Sequence, residues 1–120
     1  MMENATSALV GLALDATAMR QQAIARNIAN AGTPGYQRAG VDFESRLAQV
    51  RAGIGAMGGP RLADLAPLRP QFVTMADDGP VALDQEVADL SQNVLQQQAL
   101  LKTLTKHYAL IGLAINEGKR

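Results

Sequence analysis

Cysteine and tryptophan are absent from this chain, and its aromatic side chains amount to two tyrosines and two phenylalanines. Without cysteine there is no disulfide, no thiol nucleophile and no thiolate metal site. Histidine occurs once, at His107. It has no second histidine or acidic neighbour at ligand spacing, so it reads as a solvated or interface residue. Net charge is missing too, because eleven basic and eleven acidic residues cancel. Nucleic acid asks for a basic face that displaces counterions, and an anionic membrane surface asks for a polybasic segment; neither is present. No run of about 18 uninterrupted apolar residues occurs, so no segment is expected to span a bilayer. Met1-Met2-Glu3-Asn4 lacks the basic stretch that opens a cleaved secretory signal, and a route without one stays open.

The patterns of enzyme sites are missing as well. The glycine-rich middle holds neither G-x-x-x-x-G-K-[ST] nor G-x-G-x-x-G between a strand and a helix. Asp77-Asp78-Gly79 matches a fragment of a calcium loop without its other ligands, and reads as a turn. Asp42 and Glu44 alternate with Val41 and Phe43, a short strand-like pattern that points the two carboxylates to opposite faces. Ser7, Ser45 and Ser91 have no base placed for them. No catalytic, cofactor-binding or metal-ligating residue emerges, and the chain is not expected to be an enzyme.

What the sequence has is helix. Its 120 residues are 48% hydrophobic, mostly Ala, Leu, Val and Ile, which suit narrow helix seams better than a wide core. One domain, residues 1–120, is expected. A first helix is predicted over about 6–31, where Leu9, Leu12, Ala16, Met19 and Ala23 follow a three–four spacing. The stretch Asn27-Ile28-Ala29-Asn30-Ala31-Gly32-Thr33-Pro34-Gly35-Tyr36 ends it. Gly32 is expected in the left-handed conformation that closes a helix. Pro34 cannot continue one, and Pro34-Gly35 fits the centre of a type II turn. Asn27 and Asn30 lie on one helix face.

A turn and an extended or short helical segment follow over about 32–51, with Ser45–Val50 returning to helix. Gly53, Gly55, Gly58, Gly59, Pro60, Pro67, Pro70, Gly79 and Pro80 then make about 52–80 a flexible Gly/Pro-rich loop, with a short strand near Phe72-Val73-Thr74. The last element is a helix over about 84–117, capped by Asp84 at its start. Val87, Leu90, Val94, Gln97, Leu101, Leu104, Tyr108, Ile111 and Ile115 alternate steps of three and four along it, a heptad seam about 50 Å long. The fold class expected is mainly α: two long terminal helices packing as a coiled-coil-like pair, joined by a turn, a short extended segment and the loop. The seam residues, Gln97 excepted as a polar register position, form the C-terminal side of a helix–helix interface. Leu9, Leu12, Ala16, Met19 and Ala23 face them or a neighbouring subunit. Two such helices bury little alone, which points to ordering within an assembly.

The stretch from Asn27 to Tyr36 also resembles the N-terminal signature of bacterial flagellar rod and hook proteins, N-[IL]-A-N-A-x-T-x-G-Y after an amphipathic helix. Its T-P-G-Y form, followed by Val41-Asp42-Phe43-Glu44, is most similar to the proximal-rod B type of that family. Asp78-Gly79-Pro80-Val81-Ala82-Leu83-Asp84-Gln85-Glu86-Val87 resembles the D-G-N-x-V-D-x-E-x-E stretch that opens the family's C-terminal helix. The middle departs from the pattern: Leu68-Arg69-Pro70-Gln71 stands where a Thr-His-Pro-like segment is frequent, and Pro80 where asparagine is common.

The resemblance implies a structural subunit of the flagellar basal-body proximal rod. It implies export without a cleaved signal by the flagellar type III apparatus, and polymerisation through the terminal helices into the periplasmic drive shaft that carries motor torque. The implied partners are other rod subunits, further copies of this chain, and the inner-membrane ring and rod-base adaptor proteins. No cofactor is implied. Asn27, Asn30, Gly32, Thr33, Pro34, Gly35 and Tyr36 are the motif residues, and Tyr36 and Phe43 become candidate anchors between subunits. The alternative is a soluble coiled-coil adaptor or export chaperone, which the heptad seam alone supports and the motif does not explain.

Overall fold

The computed structural model describes residues 2–54, 65, 67–76 and 79–118. In chain order these form α1 (Met2–Ala29), β1 (Ala39–Asp42), α2 (Glu44–Ile54), β2 (Gln71–Thr74) and α3 (Leu83–Gly118). The fold is mainly helical. The long helices α1 and α3 pack against each other, and the small sheet and loop lie between them in sequence. They run antiparallel: Asn27 of α1 meets Glu86 at the start of α3, and Thr17 meets Asn93 further on.

No proline interrupts the chain before Pro34, so α1 runs for 28 residues. Its end is made by a side chain. Asn30 Nδ2 donates to the Arg26 carbonyl at 2.9 Å, and the Asn30 N–H divides between the carbonyls of Arg26 and Asn27, at 3.1 and 3.3 Å. This satisfies carbonyls that a helix end leaves open. Gly32 therefore does not close the helix in a left-handed conformation, as the sequence led us to expect. Among the described residues only Gly35 has positive φ, at 77°. It sits in the predicted turn, which the Tyr36 N–H closes by donating to the Thr33 carbonyl at 3.2 Å.

The turn delivers the chain into β1, which pairs antiparallel with β2 from Ala39↔Thr74 to Asp42↔Gln71. The core sits on the N-terminal half of α1. Ala5, Ala16, Phe43, Leu65 and Leu68 are buried together, with Leu9, Leu12, Leu47 and Val50 packed around them. Phe43, 4% exposed, is thus an anchor inside its own chain and not between subunits. Of the window read as a loop, Ala52–Ile54 belong to α2 and Gln71–Thr74 to β2, while 55–64, 66 and 77–78 lie outside the described residues. Leu65 and Leu68, flanked by breakers in sequence, supply two of the buried side chains of this cluster.

The molecule measures 65 × 29 × 18 Å with a radius of gyration of 18.0 Å, against about 13–14 Å for a compact domain of this length. Elongation follows from the helices. At 1.5 Å per residue α3 is about 54 Å long and α1 about 42 Å, so α3 reaches past its partner.

Two glycine substitutions separate the turn from the helix end. Neither glycine would place a Cβ within 4 Å of another group, so only backbone conformation distinguishes them. Gly35→Val is expected to lower stability by about 1–3 kcal/mol. Gly32→Ala is expected to be neutral or to raise it by up to about 1 kcal/mol. Urea unfolding of the two variants decides, and equal losses in both would contradict the turn described above.

Candidate functional site

The side chain of Asn27 lies where α1, β1 and α3 converge, and it is 1% exposed. Its carboxamide uses its whole hydrogen-bonding capacity. Nδ2 donates to the Ala39 carbonyl at 2.9 Å and to Glu86 Oε2 at 3.2 Å. Oδ1 accepts from the Ala39 N–H and from the Tyr36 hydroxyl, both at 2.8 Å. The amide thus faces Ala39 as a neighbouring strand would, donating to its carbonyl and accepting from its N–H. The T-P-G-Y turn sets the distance along the chain that makes this possible, folding Tyr36 and Ala39 back against the helix they have just left.

Glu86 carries the node to α3. It too is 1% exposed, so its charge needs a partner. Arg38 supplies it: Nε lies 2.5 Å from Glu86 Oε1, and a terminal guanidinium nitrogen donates to Asp89 Oδ2 at 3.0 Å. One arginine therefore spans two carboxylates one helical turn apart, while its neighbour Ala39 holds Asn27. Ten residues back along α1, Asn93 Nδ2 donates to the Thr17 carbonyl at 2.8 Å, with Thr17 fully buried and Asn93 4% exposed. The contact of α3 with the rest of the chain is therefore strongly polar where it is most buried.

The heptad of α3 divides between two faces. Leu90, Val94, Gln97, Leu104 and Ile111 are half-buried, while Val87, Leu101, Tyr108 and Ile115 stand exposed, at 54%, 49%, 56% and 55%. The exposed residues all belong to the line that recurs every seven residues from Val87. On α1, Ala16 and Ala23 are buried, and Leu9, Leu12 and Met19 are half-buried. Leu9, Leu12 and Ala16 belong to the core around Phe43, Leu65 and Leu68. Of the motif residues, Asn27 and Tyr36 enter the node and Asn30 turns the helix end. Gly32, Thr33, Pro34 and Gly35 are exposed on the turn.

Glu86, Asn93, Arg38 and Thr17 escaped the sequence reading. Glu86 figured in it only as part of the family-like stretch from Asp78 to Val87. A signal existed: Glu86 and Asn93 are seven apart and immediately precede two seam positions, Val87 and Val94. His107 is half-buried and lies beside Tyr108, their ring centroids 6.0 Å apart. No group of three or more metal-ligating side chains occurs among the described residues. No helix is long and apolar enough to cross a membrane among the residues described.

Removing the amide leaves the Ala39 backbone and the Tyr36 hydroxyl without their partner. At about 1–3 kcal/mol per buried group left unmet, Asn27→Ala is expected to lower stability by about 2–4 kcal/mol. Asn27→Asp keeps the size, loses both donors and sets a second carboxylate against Glu86. It is expected to cost more than the alanine at neutral pH. Denaturant unfolding of both variants tests the node, and an aspartate variant as stable as the parent chain would refute it.

Residues 11–37 match the family model described as Flagella basal body rod protein, a segment that spans most of α1 and the turn. The flagellar basal body rod protein FlgB of Escherichia coli K12 is 33% identical over 111 residues, covering 78% of this chain and 80% of the relative. That of Shigella flexneri matches with the same identity and coverage. FlgB of Salmonella typhimurium is 55% identical over a shorter 38 residues, 32% of this chain and 28% of its own. A match over most of both chains, joined to a signature whose first asparagine organises the fold, places this chain in the flagellar basal body rod protein family, as a structural subunit of the basal body rod.

Proposed function

We propose that this chain polymerises, through its two terminal helices, into the proximal part of the rod, the periplasmic drive shaft that carries motor torque. It reaches that place through the flagellar type III export apparatus, without a cleaved signal. There it contacts other rod subunits, the inner-membrane ring and the rod-base adaptor proteins. The observation that carries this reading is the uncovered apolar line on α3. Val87, Leu101, Tyr108 and Ile115 form a ridge that the described part of the chain leaves in solvent. A contiguous apolar ridge marks an interaction surface far better than scattered apolar residues do. The elongated shape supports the same reading, because parallel packing of rods 65 Å long builds a shaft with large lateral contacts.

The two lines of the α3 heptad give this proposal a sharp test. Leu101→Asp places its charge on the outer ridge, so the isolated chain should keep its helicity and stability while rod assembly and motility are lost. Leu104→Asp places a charge at a half-buried site facing inward, and should also lower the stability of the chain itself by about 1–3 kcal/mol. Motility in soft agar, basal-body purification and thermal unfolding read the three effects separately. Motile cells carrying Leu101→Asp would remove the ridge from the assembly. A stable homodimer with a defined cytoplasmic client, together with an intact rod in the deletion strain, would favour a coiled-coil adaptor or export chaperone instead.

A further inference from the structure

We infer that the outer edge of β2 takes an added strand, an extended acidic segment of another protein. The site is separate from the α3 ridge. Two contacts fix which way the backbone groups of the sheet point. The Met75 N–H donates to the Arg38 carbonyl at 2.8 Å, so these two residues form a bonded pair of the ladder. Asn27 meets the N–H and the carbonyl of Ala39 from the side of α1, so Ala39 turns both away from β2. Bonded and unbonded pairs alternate along an antiparallel ladder. In the register from Ala39↔Thr74 to Asp42↔Gln71, Gly40–Val73 and Asp42–Gln71 are then bonded pairs, and Ala39–Thr74 and Val41–Phe72 are not. The N–H and C=O groups of Phe72 and Thr74 therefore point outwards, away from β1.

The two edges of the sheet are treated differently. On the β1 side, Asn27 stands in for a strand at Ala39. Val41 lines a cleft walled by Ile24 of α1 and Asn93 of α3. On the β2 side, no hydrogen bond from the described residues reaches the outward groups of Phe72 and Thr74, and both residues are exposed. Folded proteins blunt such an edge with charge, proline or a bulge. Gln71-Phe72-Val73-Thr74 has no charged residue and no proline, and its register is unbroken. An unguarded row of donors and acceptors fits one kind of occupant, an extended backbone.

Charge says which backbone. Arg26 lies over the Phe72 ring, 5.7 Å from its centroid. Arg69, just ahead of the strand, donates to the Leu68 carbonyl. Both arginines are exposed, and neither has an ion-pair partner among the described residues. Arg46, by contrast, is held by Asp42 and Gln71. A carboxylate on the added strand, on the face it shares with Phe72, meets Arg26. The β2 of a second copy supplies no carboxylate, and pairing β2 with β2 gathers like charges. The occupant is thus a different chain.

Amide hydrogen exchange of the isotope-labelled full chain, read residue by residue by NMR, tests this. In the chain alone, Phe72 and Thr74 are expected to exchange many-fold faster than Gln71, Val73 and Met75. The synthetic peptide Glu-Val-Thr-Val-Glu is expected to slow Phe72 and Thr74 severalfold, and Lys-Val-Thr-Val-Lys to leave them fast. Thr74→Pro removes an outward N–H and no ladder bond, a place where an edge strand tolerates proline. It is expected to keep the parent's unfolding midpoint and to lose the protection that the acidic peptide gives Phe72. Val73→Pro removes a ladder bond, and its midpoint is expected to fall. Slow exchange at Phe72 and Thr74 in the dilute chain, or no response to either peptide, would overturn the edge as a docking site. Equal protection by both peptides would overturn the acidic occupant. Protection that grows with chain concentration, without peptide, would give the edge to a second copy and overturn the assignment to another protein. A Thr74→Pro midpoint as low as that of Val73→Pro would refute the outward direction of these groups.

Discussion

Everything in this structure that concerns chain direction depends on one carboxamide. Asn27 ties the last turns of α1 to the backbone of β1 and to Glu86 of α3, four hydrogen bonds from one side chain. None of its neighbours performs this with a different residue type in its place. An aspartate cannot donate, a glutamine is one methylene too long, and a leucine leaves the strand's N–H and C=O without partners. The turn from Thr33 to Tyr36 serves the same end. Gly35 takes the positive φ that reverses the chain within a few residues, so that Tyr36, Arg38 and Ala39 all return to the helix end. Two neighbouring elements, α1 and β1, and the distant α3 are thereby fixed around one buried point.

That polar junction is specific more than it is strong. A satisfied buried hydrogen bond contributes only about 0.5–1.5 kcal/mol net, and the ion pair of Arg38 with Glu86 must offset the desolvation of a buried carboxylate. Among the described residues the buried apolar side chains are few: Ala5, Ala16, Ala23, Ile24, Phe43, Leu65 and Leu68, with half-buried neighbours. Alanines bury little area. What the polar contacts contribute is register, because sliding α3 along α1 by one turn would strand Glu86, Asn93 and Asn27 at once.

Much of this was legible in the sequence. The two long helices follow from uninterrupted three–four spacing, and the turn from Pro34-Gly35. The motif marked the right residues, but their roles became visible only with the partners in place. Pattern reading sees apolar period, and so it assigned the whole α3 heptad to one seam. A heptad has two lines, and which of them turns inward was decided here by polar residues, Glu86 and Asn93, that lie just beside it. Leu65 and Leu68 were hidden for a related reason. Two leucines among prolines and glycines have no period, and their burial depends on a long-range contact with α1 that no local window contains. The helix end was misassigned to Gly32 because an asparagine side chain closing its own helix carries no signal beyond its identity.

The division of α3 into an inner face pinned by Glu86 and Asn93 and an exposed outer line bears on how such a chain can be both foldable and available. Were the outer line turned inward, Glu86 and Asn93 would lose the partners that Asn27, Arg38 and Thr17 give them. With the lines as they stand, hydrogen bonds set the pairing of α1 and α3, and their dependence on geometry rejects other registers. The non-directional hydrophobic term is then left on the outside, where the proposed rod contacts would use it. A modest internal stability follows from that arrangement, and the proposed rod contacts would add to it by covering a line about 42 Å long. For a subunit proposed to be exported before it joins the rod, that order of strengths is the one required.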